Sequence, residues 1–162
     1  EMVEHEMFLK KHIHSDFTIT GSYRRELDES GDIDILITGE KNNLKIHIDK
    51  LIYEKYILKD GIFAYGEHKF MGMCKLKGCK LARRLDILFT PKHEYPFALL
   101  YFTGNYNFNI NMRLHALSLG YSLNEQGLID NKLKNKIKTT FESEMDIFEF
   151  LKYDYVSPKN RK

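Results

Sequence analysis

The stretch GSYRRELDESGDIDILI, residues 21–37, decides the fold prediction. A short β-prone run precedes Gly21 and Ser22, so we expect a strand to end and a helix to begin there, and exposed N–H groups at a helix start bind anions. Asp32 and Asp34 then alternate with isoleucines, which places both carboxylates on one strand face, about 6.5–7 Å apart. Because like charges on one face repel, a positive charge is expected against them.

A third carboxylate supports the same interpretation. Asp86 lies in RRLDILF, residues 83–89, and is flanked by apolar residues. Three acids on adjacent buried strands would be very costly without cations. Oxygen ligands with open positions favour Mg²⁺, and two such ions about 3.5–4 Å apart clamp the oxygens of a phosphoryl transfer. The pattern therefore predicts two Mg²⁺ ions, replaceable by Mn²⁺, with Arg24 and Arg25 as forked phosphate donors.

Composition limits the class of protein. The chain has 162 residues, 43% of them hydrophobic, which predicts one domain or two small subdomains that share a core. Its net charge of +2 excludes a polycation, so any nucleic-acid contact must come from local basic patches. There is no apolar run of about 20 residues. We expect free thiols at Cys74 and Cys79 and an intracellular protein, in the nucleus, the cytoplasm or a viral factory.

Hydrophobic periodicity predicts an α+β protein. The expected order is helix 1–15, strand 17–22, helix 23–30, strand 32–38, helix 43–57, strand 69–76, strand 81–90, helices 97–104 and 107–120, strand 121–124, a turn at Gly127, and helix 142–152. Two prolines in PKHEYP, residues 91–96, indicate a boundary near residue 93.

The motif GS followed at this spacing by G-D-x-D resembles the nucleotidyltransferase signature of the beta-like family X DNA polymerases. The similarity continues through GEHKFMGMCKL, residues 66–76, and through RRLDILF and the segments YFTG and NMRLHAL, to the end of the chain. The resemblance implies a nucleotidyltransferase palm over 1–92, with a mixed sheet and flanking helices. It also implies a small, mainly helical C-terminal subdomain over 93–162 that binds the nascent base pair.

The resemblance assigns roles to individual residues. Catalysis and metal binding would come from Asp32, Asp34 and Asp86. Asp86 would activate the primer 3′-hydroxyl, and Arg84 would tune the Asp86 carboxylate. The nucleotide would be bound by Gly21, Ser22, Arg25, Gly31, Tyr101, Phe102, Gly104 and Asn109. DNA would be contacted by Gly66, His68, Lys69 and Arg113. The peptide bond between Gly104 and Asn105 is expected to be cis.

The chain also departs from the family. It has no counterpart of the amino-terminal lyase and duplex-binding modules, which resembles the minimal viral arrangement or an excised fragment, and no lyase activity is expected. Tyr106 replaces an acidic residue near the base, and Ile110 replaces a lysine that stacks on the template. Leu88 and Gln126 replace members of a network that holds the resting state. These changes predict a weaker inactive-state latch and looser base selection.

Three functions are compatible with the sequence. The first is a DNA-directed polymerase that fills short gaps in DNA, as in base excision repair. We would expect it to be a monomer that binds gapped or primer-template DNA and a dNTP. We would not expect it to bind a membrane. The second is a template-independent terminal nucleotidyltransferase. The third is a DNA-binding fragment with little activity.

Overall fold

The strand that carries Asp32 and Asp34 lies inside a five-stranded mixed sheet. The computed structural model describes residues 1–162. Its first elements are α1 (Met2–His12), β1 (Asp16–Ile19), α2 (Gly21–Arg24), β2 (Asp32–Gly39), α3 (Leu44–Tyr53), β3 (Ile57–Tyr65), β4 (Lys69–Cys74) and β5 (Arg83–Pro91). The strand order is β1-β2-β5-β4-β3, and only the β2–β5 pair is parallel.

Alternation along β2 divides its residues between two environments. Ile33, Ile35 and Ile37 are each at most 1% exposed and belong to a core that also takes in Leu9 of α1 and Ile48 of α3. Residues at odd and even positions of a strand point to opposite faces, so burying the isoleucines turns Asp32 and Asp34 toward the other face. The predicted alternation of β2 is confirmed.

A second core forms from the remaining elements. These are α4 (Tyr95–Thr103), α5 (Tyr106–Ser118), β6 (Tyr121–Asn124), β7 (Gly127–Asp130), β8 (Asn135–Lys136), α6 (Glu144–Phe150) and a 3₁₀ turn (Pro158–Asn160). Buried side chains of the three helices meet those of the β6-β7-β8 sheet, among them Phe108, Met112, Leu128 and Phe148. The α+β class is confirmed, and the boundary near residue 93 stays a prediction.

Two predicted helices are wrong in extent, and three strands were missed. The helix expected over 23–30 is a single turn, α2, because Glu26 adopts a positive φ of 58°. Helix α3 ends at Tyr53 rather than at residue 57, and Lys55 takes a φ of 60°. Strand β3 was missed because Asp60 and Gly61 interrupt its alternation, and the structure has register shifts there. Strands β7 and β8 were also missed, because the sequence predicted only a turn at Gly127.

Other local predictions are confirmed. Both cysteines are free, and the Gly104–Asn105 peptide bond is cis. The strands β4 and β5 are neighbours in the sheet and pair antiparallel. No helix of the protein has the length and apolar character needed to cross a bilayer.

Candidate active site

The three predicted acids lie on one face of the five-stranded sheet. Asp34 on β2 is paired in register with Asp86 on β5, and Asp32 is paired with Arg84. Neighbouring strands lie about 4.8 Å apart, and partners in register point to the same side. Asp34 and Asp86 are partly buried, whereas Asp32 is exposed. The parallel β2–β5 pair therefore brings together the carboxylates that are far apart in sequence.

The electrostatics of this face favour a cation. Burial raises the pKa of Asp34, and the negative charges of Asp86 and Asp32 raise it further, against the smaller opposing effects of Arg84 and Arg25. A carboxyl group whose pKa is raised by neighbouring carboxylates lacks compensating positive charge. Hard oxygen donors with open positions suit Mg²⁺, so the donor set fits a divalent ion.

The three carboxylates do not converge on a single metal position in this structure. No group of three or more histidine, cysteine or carboxylate side chains converges on one cation position. Asp86 instead forms an ion pair with Arg84, whose Nε and Nη2 donate to its two carboxylate oxygens at 3.2 and 3.3 Å. This hydrogen bonding raises the pKa of the Arg84 guanidinium. The ion pair places Arg84 beside the predicted base, and the assignment of a metal to the three acids stays a prediction.

Gly21 brings the backbone at the start of α2 against these acids. It has a φ of +63°, and a Cβ added there would lie 2.7 Å from Oδ2 of Asp34. The Ser22 hydroxyl is hydrogen-bonded to the Ser30 hydroxyl at 2.9 Å, and Gly31 has open space around its Cα. Since α2 is only four residues long, a helix dipole would contribute little to anion binding. The loop geometry at Gly21 is the stronger feature.

Arg24, the last residue of α2, and Arg25, directly after it, make different contacts, although the sequence predicts both as phosphate donors. Nη1 of Arg25 donates to the carbonyl oxygen of Thr103 at 2.6 Å. Arg24 instead donates to the hydroxyl of Thr103 at 2.7 Å and to Glu144 at 2.5 Å. Arg24 is thus occupied by protein partners, and Arg25 is the arginine of this pair that lies toward Asp34.

Glu144 joins two arginines that are distant in sequence. Its second oxygen accepts from Nη1 of Arg161 at 2.6 Å, and the Arg161 side chain is fully buried. The Arg161 guanidinium also lies 5.3 Å from the ring centroid of Phe108. Sequence reasoning missed this network, because Arg161 is the second-last residue of the sequence and lies in a polar run without periodicity.

The predicted nucleotide-facing residues meet where α4 ends and α5 begins. The side chain of Asn105 accepts from the N–H of Phe108 at 3.0 Å and caps α5. Asn109 donates to the carbonyl oxygen of Tyr101 at 2.8 Å, and the Arg113 guanidinium lies 4.8 Å from the centroid of the Tyr101 ring. Asn109 and Arg113 therefore share the face of α5 that adjoins Tyr101, as their spacing predicts.

Phe102 and Gly104 complete this corner. The ring of Phe102 packs edge-on against Tyr101 with centroids 4.9 Å apart. Gly104 has a φ of +67°, and a Cβ there would approach Nη1 of Arg25 to 3.2 Å. Arg25 thus connects the α2 loop to the end of α4.

The predicted primer contacts lie at the β3–β4 turn. His68 is exposed and lies 3.0 Å from the Asn42 amide nitrogen, and Gly66 lies in the same turn. Lys69 is exposed, two positions before Met71, the register partner of Asp86. Alternate strand residues share a face, so Lys69 lies on the same sheet face as the acids. His115, in contrast, is held by the carbonyl oxygen of Leu151 at 2.7 Å.

Comparison with known proteins identifies the family of this site. Residues 1–92 match the DNA polymerase beta palm, and residues 98–162 match the DNA polymerase beta thumb. The chain belongs to the family X DNA polymerases. This family is of the nucleotidyltransferase class. The palm match contains the three acids, and the thumb match contains α5.

Relatives of this family X chain include long and short polymerases. It is 33% identical over 159 residues to DNA polymerase lambda of Rattus norvegicus and 29% identical over 162 residues to that of Arabidopsis thaliana, each match covering 87% of this chain. The matches span 28% and 31% of those two proteins. It is also 31% identical to Repair DNA polymerase X of African swine fever virus, covering 94% of this chain and 85% of the viral one.

Proposed function

We propose that this chain is a DNA-directed DNA polymerase that adds a dNTP to a primer 3′-hydroxyl by two-metal phosphoryl transfer, filling short gaps during DNA repair. The observation that carries the proposal is the register of Asp34 with Asp86, beside the backbone of Gly21. That pairing sets carboxylates from two strands beside the backbone of the Gly21 loop, which would hold the phosphates. The viral relative, named a repair polymerase, supports the repair role.

The three carboxylates would supply the metal ligands. Two bound Mg²⁺ ions would lower the pKa of the attacking hydroxyl and stabilise charge on the leaving pyrophosphate. In this proposal Asp86 accepts the proton of the primer hydroxyl. Arg84 holds the Asp86 carboxylate through two hydrogen bonds, which orients it for that transfer. Asp32 and Asp34 hold the nucleotide side of the site.

The remaining predicted residues would position the substrates. Ser22, Arg25 and Gly31 would bind the β- and γ-phosphates, with Arg25 exchanging the Thr103 carbonyl for phosphate oxygens. Tyr101, Phe102 and Gly104 would pack beside the sugar. The remaining contacts would go to DNA: Asn109 and Arg113 at the nascent pair, and Gly66, His68 and Lys69 at the primer backbone.

Primer extension on a one-nucleotide-gapped duplex tests this function. We expect the wild-type chain to extend the primer with Mg²⁺, and Asp86→Asn to lose about 10³-fold or more in rate, since a metal-ligand contribution amounts to several kcal/mol. The matched control is Asp60→Asn, which removes an exposed carboxylate on β3 and should retain the wild-type rate.

The rival functions predict different outcomes in the same assay. A terminal nucleotidyltransferase would extend a single-stranded primer at least as fast as the gapped duplex, and that result would contradict the proposal. A DNA-binding fragment would bind the gapped duplex but show no Asp86-dependent extension, which would also contradict it. A template-directed polymerase inserts the complementary dNTP and needs the gap.

A further inference from the structure

The β7–β8 turn and the strand that follows it concentrate positive charge. We define residues 131–138, NKLKNKIK, as the lysine hairpin; it contains four lysines and no acid. Subtracting these four charges from the net charge of +2 leaves −2 on the other 154 residues. The lysine hairpin is therefore a local cationic patch on a protein that is otherwise slightly acidic.

The charges of the lysine hairpin are free. Lys132, Lys134, Lys136 and Lys138 are all exposed, and none of their ammonium groups forms an ion pair or hydrogen bond within the protein. The nearest acid in sequence, Asp130, accepts instead from the backbone N–H groups of Lys132 and Leu133 at 2.9 and 3.0 Å. Four ammonium groups thus face solvent without a counter-charge.

Packing holds part of the lysine hairpin in place. The N–H of Ile137 donates to the carbonyl oxygen of Leu128 at 2.8 Å, and the Ile137 side chain packs on the second core. Alternation in extended backbone then turns Lys136 and Lys138 to the opposite side. The stem of Lys136 crosses Gly127, where an added Cβ would meet its Cε at 2.6 Å. Lys136 and Lys138 therefore flank a residue that is hydrogen-bonded and packed against the second core.

A groove with donors and no carboxylate lies beside the lysine hairpin. It has a volume of about 540 Å³, and its polar side is formed by His93, Asn135, Lys136, Lys138, Thr139 and Thr140. The His93 ring lies 3.3 Å from the carboxylate of Glu94, which does not line the groove. The side chains of Asn135, Thr139 and Thr140 make no hydrogen bond within the protein. Ammonium, amide and hydroxyl groups without an opposing acid are the contacts that proteins make to the phosphates of nucleic acids.

The groove is separate from the residues proposed to contact the nascent pair. Helix α5, which carries Asn109 and Arg113, packs against β6, whereas β8 is the far strand of the β6-β7-β8 sheet. Two strand spacings amount to about 10 Å. A ligand on the lysine hairpin would therefore be a different segment of DNA from the one at α5.

We propose that the lysine hairpin and its groove bind the phosphate backbone of DNA outside the nascent base pair. We name DNA as the polyanion because this inference rests on the proposed polymerase function. Phosphate contacts dominate the affinity of proteins for DNA. The hairpin adds affinity without reading sequence.

The test measures binding without catalysis. Fluorescence anisotropy of a labelled gapped duplex is recorded in EDTA over a range of KCl concentrations, for the wild type and for K132Q/K134Q/K136Q/K138Q. Each lysine that contacts a phosphate contributes about 0.9 to the slope of log affinity against log salt. We expect the slope to fall by about 3.6 if all four lysines are engaged, and the affinity to fall at least tenfold.

A matched variant controls for total charge. K11Q/K41Q/K55Q/K59Q removes four exposed lysines without ion-pair partners and changes the net charge by the same amount. Lys55 matches Lys134, because both have a positive φ, at 60° and 56°. We expect the control variant to keep nearly the wild-type slope. An equal loss in both variants, or an unchanged slope in the hairpin variant, overturns the proposal.

Two further variants keep the result decisive. K132R/K134R/K136R/K138R should retain the wild-type slope. A thermal melt followed by circular dichroism shows whether the quadruple glutamine variant is folded. If it is not, K134Q/K138Q replaces it and should lose about 1.8 from the slope. Unchanged DNA binding combined with self-association on gel filtration would mean that the lysines only protect the β8 edge. Loss of binding to anionic vesicles with DNA binding unchanged would equally refute the proposal. Because no extension is measured, a failed polymerase assay and a failed hairpin are distinguishable.

Discussion

The lack of a side chain at Gly21 sets how closely the backbone approaches the Asp34 carboxylate. Its φ of +63° falls in the left-handed region, and the position of a Cβ would lie 2.7 Å from Oδ2 of Asp34. Two separate costs follow for any other residue there: the backbone strain of a positive φ and the displacement of a carboxylate that we propose to hold metal. The sequence pattern GS before G-D-x-D predicted the location of this loop but not the approach itself.

Gly21→Ala should separate these costs. We expect the free energy of unfolding to fall by about 1–2 kcal/mol, the usual cost of a left-handed L-residue, and gap-filling activity to fall further because Asp34 must move. Urea unfolding and primer extension measure the two effects. Gly120→Ala is the matched control: its φ is +88° and its Cβ would have open space. If the Gly21 and Gly120 variants retain the same activity at equal stability loss, the close approach to Asp34 has no role in catalysis.

The elements differ in how well their sequence predicts them. Strands β2 and β5 were predictable, because isoleucine alternation fixes which side chains are buried and therefore where Asp32, Asp34 and Asp86 face. The parallel pairing of Asp34 with Asp86 depends on a crossover through α3, β3 and β4, which no local pattern encodes. Strand β3 was missed for a local reason, since its register shifts break the period of two.

Helix α3 carries a buried histidine that should make stability depend on pH. Burial lowers the pKa of His47, and the nearby charges of His14 and Lys50 lower it further. The unfolded state, with a pKa near 6.5, then binds more protons than the folded state. Stability should be fully present above about pH 6.5 and fall as the pH drops toward the folded pKa.

Urea unfolding at pH 7.5 and at pH 5.5 measures this effect. The wild type should lose stability between the two, and His47→Gln, which can still hydrogen-bond to Ser15, should lose less. His12→Gln is a suitable control, because His12 is a histidine of α1 outside this contact. An equal loss of stability in the wild type and the His47 variant would show that His47 is not the titrating group.

At the scale of the whole molecule, the chain has two cores joined by a network of charged residues. Arg24 of α2 and the second-last residue, Arg161, both bind Glu144 of α6. Arg25 binds the carbonyl oxygen of Thr103 at the end of α4. A buried charge is stable only when it is paired. The family resemblance led us to expect a palm and a smaller C-terminal subdomain, and it assigned site residues that stay predictions. It did not indicate these contacts, because their partners are separated by up to 120 positions.

The arrangement of the two parts brings the candidate metal ligands near the residues proposed to hold the nucleotide. Arg25 connects them directly, since it lies between Asp34 and the turn at Gly104. This juxtaposition of the three carboxylates, the Gly21 loop and α5 is the central claim about function. The claim requires Asp32, Asp34 and Asp86 to coordinate the ions that hold the dNTP.

Anomalous diffraction tests that claim most directly. Crystals grown with gapped DNA, a dNTP and Mn²⁺ would be measured at the manganese edge. Our account predicts two manganese peaks about 3.5–4 Å apart, with Asp32, Asp34 and Asp86 as protein ligands. Manganese bound elsewhere, or a dNTP bound while these three carboxylates coordinate no ion, would contradict it.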